Sequence, residues 1–142
     1  MADNWLLWAF LSASFAAATT ILSKVGLRGV DHDAAQLVRT AVVLATVGLI
    51  VVGSGRWRGV AAFSSSTWTY LALAGIATAA SWICYFRALA AGDASRVAAI
   101  DKLSVPIIAV VAAVTMAERL GPLGWAGVSL TAVGAILISL AR

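Results

Sequence analysis

The sequence predicts an all-α polytopic membrane protein with five transmembrane helices. Of its 142 residues, 62% are hydrophobic and only 11% are charged, whereas a soluble domain carries about 25% charged residues. The hydrophobic residues form five runs, each near the length that crosses a hydrocarbon core about 30 Å thick at about 1.5 Å per residue. The predicted spans, which fill a single domain over residues 1–142, are Trp5–Leu22, Leu37–Val52, Thr67–Leu89, Val97–Ala117 and Leu123–Leu140.

The first two spans are joined by a polar connection. Small residues in Ser12–Ala18 give the first span some likeness to a signal peptide, but Met1–Asn4 contains no Lys or Arg and the apolar run is too long. We therefore expect a retained helix. In the connection Lys24–Gln36, the acidic pair Asp31 and Asp33 can cap the second helix.

The later connections are short and carry turn residues. Gly53–Ser66 is the longest link, and Ala90–Arg96 is tight around a Gly-Asp pair. Gly121 is expected to stop the fourth helix, and Pro122 suits the first turn of the fifth. Connections this short place neighbouring helices antiparallel and leave no room for a soluble domain.

The basic residues are distributed unevenly between the two sides of the membrane. Seven of the ten lie beside the first and third connections and the C-terminus, and three lie on the other side, which places the C-terminus in the cytoplasm. Four of the seven lie at or inside helix ends, namely Lys24, Arg39, Arg87 and Lys102. If these four face an internal cavity, the count is three against three, and the chain can insert in both orientations.

Charged residues inside a membrane helix cost several kcal/mol unless paired or hydrated, so they are candidates for function. The strongest cluster holds Asp101 and Lys102, about one turn into the predicted fourth helix, followed by Pro106. Proline removes a backbone hydrogen bond and should kink the helix, freeing a carbonyl near Lys102. Such a charged pair suits an aqueous cavity or gate. Alternatively, Asp101 only balances Lys102, Arg96 or Arg87 at the headgroup level.

Aromatic and small residues give weaker signals. Trp82 and Tyr85 share a helix face and either line a substrate pocket or pack in the core. Trp8 shares a face of the first span with Ser12, Phe15 and Thr19. Glu118 is either functional or part of a surface ion pair with Arg119. Small residues that let helices approach closely recur every fourth position in the fifth span, at Gly127, Thr131, Ala135 and Ser139.

Several function classes lack support in the sequence. There is no Ser/His/Asp set and no glycine-rich phosphate loop, so we expect neither an enzyme nor a cofactor. His32 stands alone between two aspartates and Cys84 is the single cysteine, which argues against a metal site. The net charge of +4 comes from scattered residues rather than a basic run, and we expect no nucleic-acid partner.

The second half of the chain carries short motifs in a fixed order: Trp82-Ile-Cys-Tyr85-Phe-Arg87-Ala-Leu89, Gly92-Asp-Ala-Ser-Arg96-Val97, Ile100-Asp-Lys-Leu-Ser104, and Glu118-Arg-Leu with Gly127 and Gly134. This pattern, with Lys24 closing the first span and Arg39 opening the second, resembles the EamA domain of the drug/metabolite transporter superfamily. The resemblance covers essentially the whole chain. It matches one unit of five helices, whereas most members carry two in tandem.

The resemblance implies an assembly. In two-unit members the units are inverted around a central site, so a single unit implies a second copy, as an antiparallel homodimer like that of the related small multidrug resistance proteins. Those relatives have an essential Glu in their first helix, whereas the first span here holds no acidic residue. Asp101 and Glu118 are therefore the candidate coupling carboxylates.

The resemblance also implies a function: one half of a ten-helix transporter that moves small metabolites or amphipathic compounds by alternating access across the cytoplasmic membrane of a prokaryote. The polar path and substrate contacts would be Lys24, Arg39, Arg87, Asp101, Lys102, Trp8, Trp82 and Tyr85. The partners would be the lipid bilayer, a second copy and a small-molecule substrate. The alternative is a non-transporting membrane subunit or scaffold, which the small-residue stripe fits equally well.

Overall fold

A computed structural model describes residues 4–116 and 119–141 of the chain. Within these residues the regular structure is entirely helical, which confirms the predicted fold class. It comprises six α-helices and one 3₁₀ helix: α1 Trp5–Gly26, α2 His32–Gly53, the 3₁₀ helix Arg56–Ala62, α3 Ser65–Ala91, α4 Ala94–Asp101, α5 Ser104–Thr115 and α6 Pro122–Leu140.

Five helical segments are long and apolar enough to cross a membrane. Four are single helices, α1, α2, α3 and α6, and the other is Ala94–Thr115, which contains α4 and α5. The five-span prediction is therefore confirmed, although the helices extend past most of the predicted ends. For example, α2 begins at His32 rather than Leu37, because the polar residues ahead of the apolar run also adopt helical backbone.

The helix ends follow local side-chain chemistry. The Asp31 carboxylate accepts a hydrogen bond from the Ala34 N–H at 2.8 Å and caps α2. The Ser64 hydroxyl accepts one from the Thr67 N–H at 3.2 Å, immediately before α3. Pro122 is the first residue of α6, as predicted. The fourth span ends at Thr115, two residues before the predicted end, and Glu118 lies outside the described residues.

The long second connection is ordered by a glycine and an aromatic pair. Gly55 adopts a left-handed conformation with φ +70°, which suits a residue without a Cβ, and it separates α2 from the 3₁₀ helix. The rings of Phe63 and Trp68 then meet edge to face, with centroids 6.0 Å apart. The 3₁₀ helix packs against α2.

The helices form two compact units. The first contains α1 as far as Lys24 together with α4, α5 and α6. Both α4 and α5 pack against α6, and each of the three helices buries one alanine: Ala99, Ala112 and Ala135. Small side chains at buried positions allow close backbone approach, the usual way in which membrane helices gain packing contacts.

The second unit is Val25–Ala90, which contains α2, the 3₁₀ helix and α3. Its buried side chains include Phe86 and Leu89 of α3, the latter with 0% exposure. Its α2 helix buries a polar residue, Gln36, at 7% exposure. A buried amide in an apolar helix must be hydrogen-bonded, and its partners lead to the site described next.

Candidate functional site

The fourth span is interrupted at its charged residues. Asp101 is the last residue of α4, Lys102 and Leu103 form a turn, and α5 begins at Ser104. Asp101 therefore lies about two turns from the start of α4, rather than about one turn into the predicted fourth helix. The turn lies four residues ahead of Pro106, whose missing N–H cannot bond the carbonyl of Lys102.

The hydrogen bonds that hold the turn join residues three apart, rather than four apart as in an α-helix. The Leu103 N–H donates to the Ile100 carbonyl at 2.9 Å, and the Val105 N–H donates to the Lys102 carbonyl at 3.0 Å. Both bonds span three residues. The carbonyl of Lys102 is thus satisfied locally, which corrects the prediction of a freed carbonyl there. The interruption is a short 3₁₀-like turn rather than an open gap in the backbone.

Asp101 and Lys102 pair with each other in this turn. The Lys102 Nζ lies 3.6 Å from an Asp101 carboxylate oxygen, and their side chains are 59% and 42% exposed. The pair is therefore partly solvated, and it joins two consecutive residues of the chain. A charged pair at a helix break inside an apolar span is the kind of feature found where a membrane helix lines a polar cavity.

Arg39 has a different environment from the other helix-borne cations. Its guanidinium carbon lies 4.4 Å from the ring centroid of Trp82 and 5.4 Å from that of Phe86. A guanidinium over aromatic faces is attracted by the ring quadrupole. Arg39 is half-buried, Trp82 is half-buried and Phe86 is buried. We call this group, together with Gln36, the Arg39 clamp.

Gln36 completes the Arg39 clamp. Its amide nitrogen donates to the Thr40 hydroxyl at 3.2 Å, and that hydroxyl donates to the Gln36 backbone carbonyl at 2.8 Å. These bonds aim the amide oxygen at Arg39, whose Nη1 lies 3.5 Å away. That distance is at the outer limit for a hydrogen bond. Gln36 therefore orients the guanidinium more than it neutralises it.

Arg87 forms an ion pair within the same unit. Its Nη2 lies 2.8 Å from one Asp33 carboxylate oxygen, and its Nε donates to the other at 3.4 Å. The pair joins the last turns of α3 to the first turn of α2. Of the two acidic residues expected to cap α2, Asp31 does so and Asp33 binds Arg87 instead. Arg87 is therefore paired, but not with Asp101.

We expect the Arg87–Asp33 pair to contribute little to stability. Both side chains are more than half exposed, and water screens such pairs. In a double-mutant cycle of Arg87→Gln and Asp33→Asn, monitored by unfolding in mixed detergent micelles, the coupling should be small and should vanish at high salt. A large coupling that survives high salt would show that the pair is desolvated and contradict this expectation.

Two further cations of the first unit bind backbone carbonyls. Lys24, in the last turn of α1, donates to the Gly92 carbonyl at 2.7 Å. Arg96 of α4 donates through Nε and Nη2 to the Ser139 carbonyl at 3.0 and 2.8 Å, and lies 3.7 Å from Asp93. The Lys24 contact joins α1 to the α3–α4 connection, and the Arg96 contact joins α4 to the end of α6.

The predicted polar-path residues fall into both units. Lys24, Asp101 and Lys102 belong to the first unit, as does Trp8, which is 68% exposed. The second unit holds the other four: Arg39, Arg87, Trp82 and half-buried Tyr85. Within the second unit the structure brings Arg39 and Trp82 into contact, so the Trp82 ring, predicted to contact a substrate, carries this guanidinium.

The small-residue stripe of α6 is divided. Ala135 is buried and the Ser139 carbonyl holds Arg96, so the C-terminal half serves packing within the chain. Gly127 and Thr131 are exposed. The N-terminal half therefore has surface for contacts outside the chain.

Sequence reasoning missed Asp33, Gln36 and Phe86 as members of these clusters. A usable signal existed for Gln36, because Gln36, Arg39 and Thr40 stand at positions i, i+3 and i+4 of one helix and so share a face. Nothing local marked Asp33 as the partner of Arg87, which lies 54 residues later. Among the described residues, no group of three or more His, Cys, Asp or Glu side chains is placed to hold a metal ion.

Comparison with known proteins identifies the family. The model of the EamA-like transporter family matches residues 3–140. A protein of Sinorhizobium sp, named "Uncharacterized transporter in cobO 3'region", is 44% identical over 139 residues, which cover 98% of this chain and 99% of that protein. No solved structure gave a match. The chain belongs to the EamA-like transporter family and is a multi-pass membrane protein.

Proposed function

We propose that this member of the EamA-like transporter family moves small metabolites or amphipathic compounds across the cytoplasmic membrane of a prokaryote by alternating access. The observation that carries the proposal is the family match over nearly the whole chain. The interrupted fourth span supports it, since Asp101 and Lys102 form a partly solvated pair at a break in an apolar helix. The name of the bacterial relative also indicates transport rather than catalysis.

The proposed working unit is an antiparallel homodimer. Five spans place the two chain ends on opposite sides of the membrane, so a second copy inserted in the opposite sense builds an inverted ten-helix pair. The bacterial relative is matched over 99% of its own length, so a chain of one unit occurs in this family. In each span, at most 6% of the 18-residue apolar segment is buried within the chain. The rest of its surface can contact a second copy as well as lipid.

Transport is tested with the purified protein in liposomes. Three radiolabelled probes of different charge cross bare lipid slowly: phenylalanine, benzenesulfonate and trimethylphenylammonium. Uptake of at least one probe faster than in empty vesicles, and saturation of that uptake, is the expected result. Rates equal to those of empty vesicles for all three probes would contradict the proposed transport of amphipathic solutes and favour the non-transporting subunit.

The orientation of the two copies is tested by cross-linking at α6. Gly127 and Gly134 lie two turns apart on one face, on either side of the middle of the helix, and both have space for a Cβ. The exposed Cys84 is first replaced by serine. When Gly127→Cys and Gly134→Cys copies with different tags are mixed, an antiparallel dimer links position 127 to position 134, because these positions then lie at similar depth.

Other linking patterns have different meanings. A parallel dimer would link like positions, 127 to 127 and 134 to 134, and would overturn the antiparallel arrangement. Links only to a foreign protein would favour the subunit alternative. The variant Gly48→Cys, with open space at its Cβ on α2, is the matched control for random collision in the membrane, and its linking should stay at background.

A further inference from the structure

Among the cations within the five candidate spans of the described chain, Arg39 is the one without a strong acceptor. Lys24 and Arg96 bind backbone carbonyls, and Arg87 and Lys102 bind carboxylates. Arg39 has two aromatic rings and a marginal contact with the Gln36 amide oxygen. Within the described residues no carboxylate pairs with it. Among the described residues, most of its five N–H donors therefore have no acceptor and are available to a ligand.

The position of Arg39 makes this costly. It is the eighth residue of α2, about 10 Å along the helix from His32, in a 22-residue apolar span. A cation inside such a helix is costly unless it is paired or hydrated, and each cation–π contact recovers only part of that cost. The rings thus offset the cost without neutralising the charge. A site of this kind is completed by an anion.

The neighbours of Arg39 fix the geometry of its guanidinium. The guanidinium carbon lies 4.4 Å from the ring centroid of Trp82, and Gln36 contacts the group through Nη1. A planar fork held in this way can bind a carboxylate or another oxyanion through two parallel N–H donors. The residues of α2 and α3 are otherwise largely apolar, which suits the apolar part of the same molecule.

We propose that Arg39 is the anion-binding residue of this transporter and that its solute is an organic monoanion, an oxyanion joined to an apolar body, with Trp82 as a positioning residue for the guanidinium. This inference rests on the proposed function for the movement of the solute. The binding step it describes is measurable without transport.

The test compares three probes that share a phenyl ring: phenylacetate, neutral phenylacetamide and cationic phenethylamine. Binding of each radiolabelled probe to the purified protein is measured by equilibrium dialysis. We expect phenylacetate to bind about tenfold to a hundredfold more tightly than phenylacetamide, the range expected for hydrogen bonds to a charged group. Phenethylamine should bind more weakly still, because the guanidinium repels it.

Variants assign this preference to Arg39. In Arg39→Gln the ratio of phenylacetate to phenylacetamide affinity should fall to about one, and in Arg39→Lys it should be intermediate, since the charge remains but the planar fork is lost. Trp82→Leu should lower the ratio and Trp82→Phe should restore part of it, which a purely structural role would not do. Arg58→Gln is the matched control, because Arg58 is exposed in the 3₁₀ helix, and its ratio should equal that of the wild type.

The outcomes separate this inference from the proposed function. Wild-type protein that fails to bind phenylacetate, or that prefers either other probe, overturns the inference even if liposome uptake is observed. An unchanged ratio in folded Arg39→Gln overturns it as well. Anion-selective binding that depends on Arg39, in a protein that shows no uptake, supports the inference and contradicts the transport proposal alone.

Discussion

Asp101→Asn should reduce uptake in liposomes to the rate of empty vesicles while leaving the protein folded. The substitution keeps the shape of the side chain but removes the charge that pairs with Lys102 at 3.6 Å. Since both side chains are about half exposed, the loss of the pair should change the free energy of unfolding by about 1 kcal/mol or less. A transport step that relies on this carboxylate, for coupling or for gating, would be lost entirely. Lys102→Ala should have the same effect on uptake.

Asp31→Asn is the matched control for this prediction. It makes the same chemical change at the N-cap of α2, and asparagine caps helices about as well as aspartate. Uptake of whichever probe the wild type moves fastest should therefore be unchanged in Asp31→Asn. If Asp101→Asn and Lys102→Ala both transport at the wild-type rate, the interrupted fourth span has no part in the mechanism.

Local chemistry explains why the spans and many helix ends could be predicted. Apolar length is a property of the sequence itself, so the five spans follow from it. The Asp31 cap and the Pro122 start each depend on residues within one turn. The break in the fourth span was only partly predictable. Proline indicates a disturbed helix. Whether the backbone opens a gap or tightens into a turn depends on which backbone hydrogen bonds residues 100–105 form instead.

The side-chain clusters were less predictable because they depend on helix rotation. When a helix is apolar on every side, its sequence carries no polar face that marks the inward direction. The pairing of Arg87 with Asp33 and of Lys24 with Gly92 joins residues 54 and 68 positions apart. Arg39 was a candidate because charge in a span is conspicuous. Its aromatic environment became visible only once α2 and α3 were placed side by side.

The same limitation applied to α6, where one stripe of small residues has two environments, and this division leads to a prediction. Ala135→Leu should destabilise the chain by about 1–3 kcal/mol, the usual cost of extra methylene groups at a close-packed position, because Ala135 is 5% exposed in the helix that packs against α4 and α5. Unfolding by SDS in mixed micelles measures this effect.

Thr131→Leu, one turn earlier on the same face, is the paired variant. Thr131 is exposed, so a leucine there should leave the unfolding transition of the single chain unchanged. It should instead reduce cross-linking between Gly127→Cys and Gly134→Cys copies, because a bulky side chain separates helices that approach through small residues. Equal destabilisation by both variants would show that the whole stripe packs within the chain. The homodimer would then have to form through another helix.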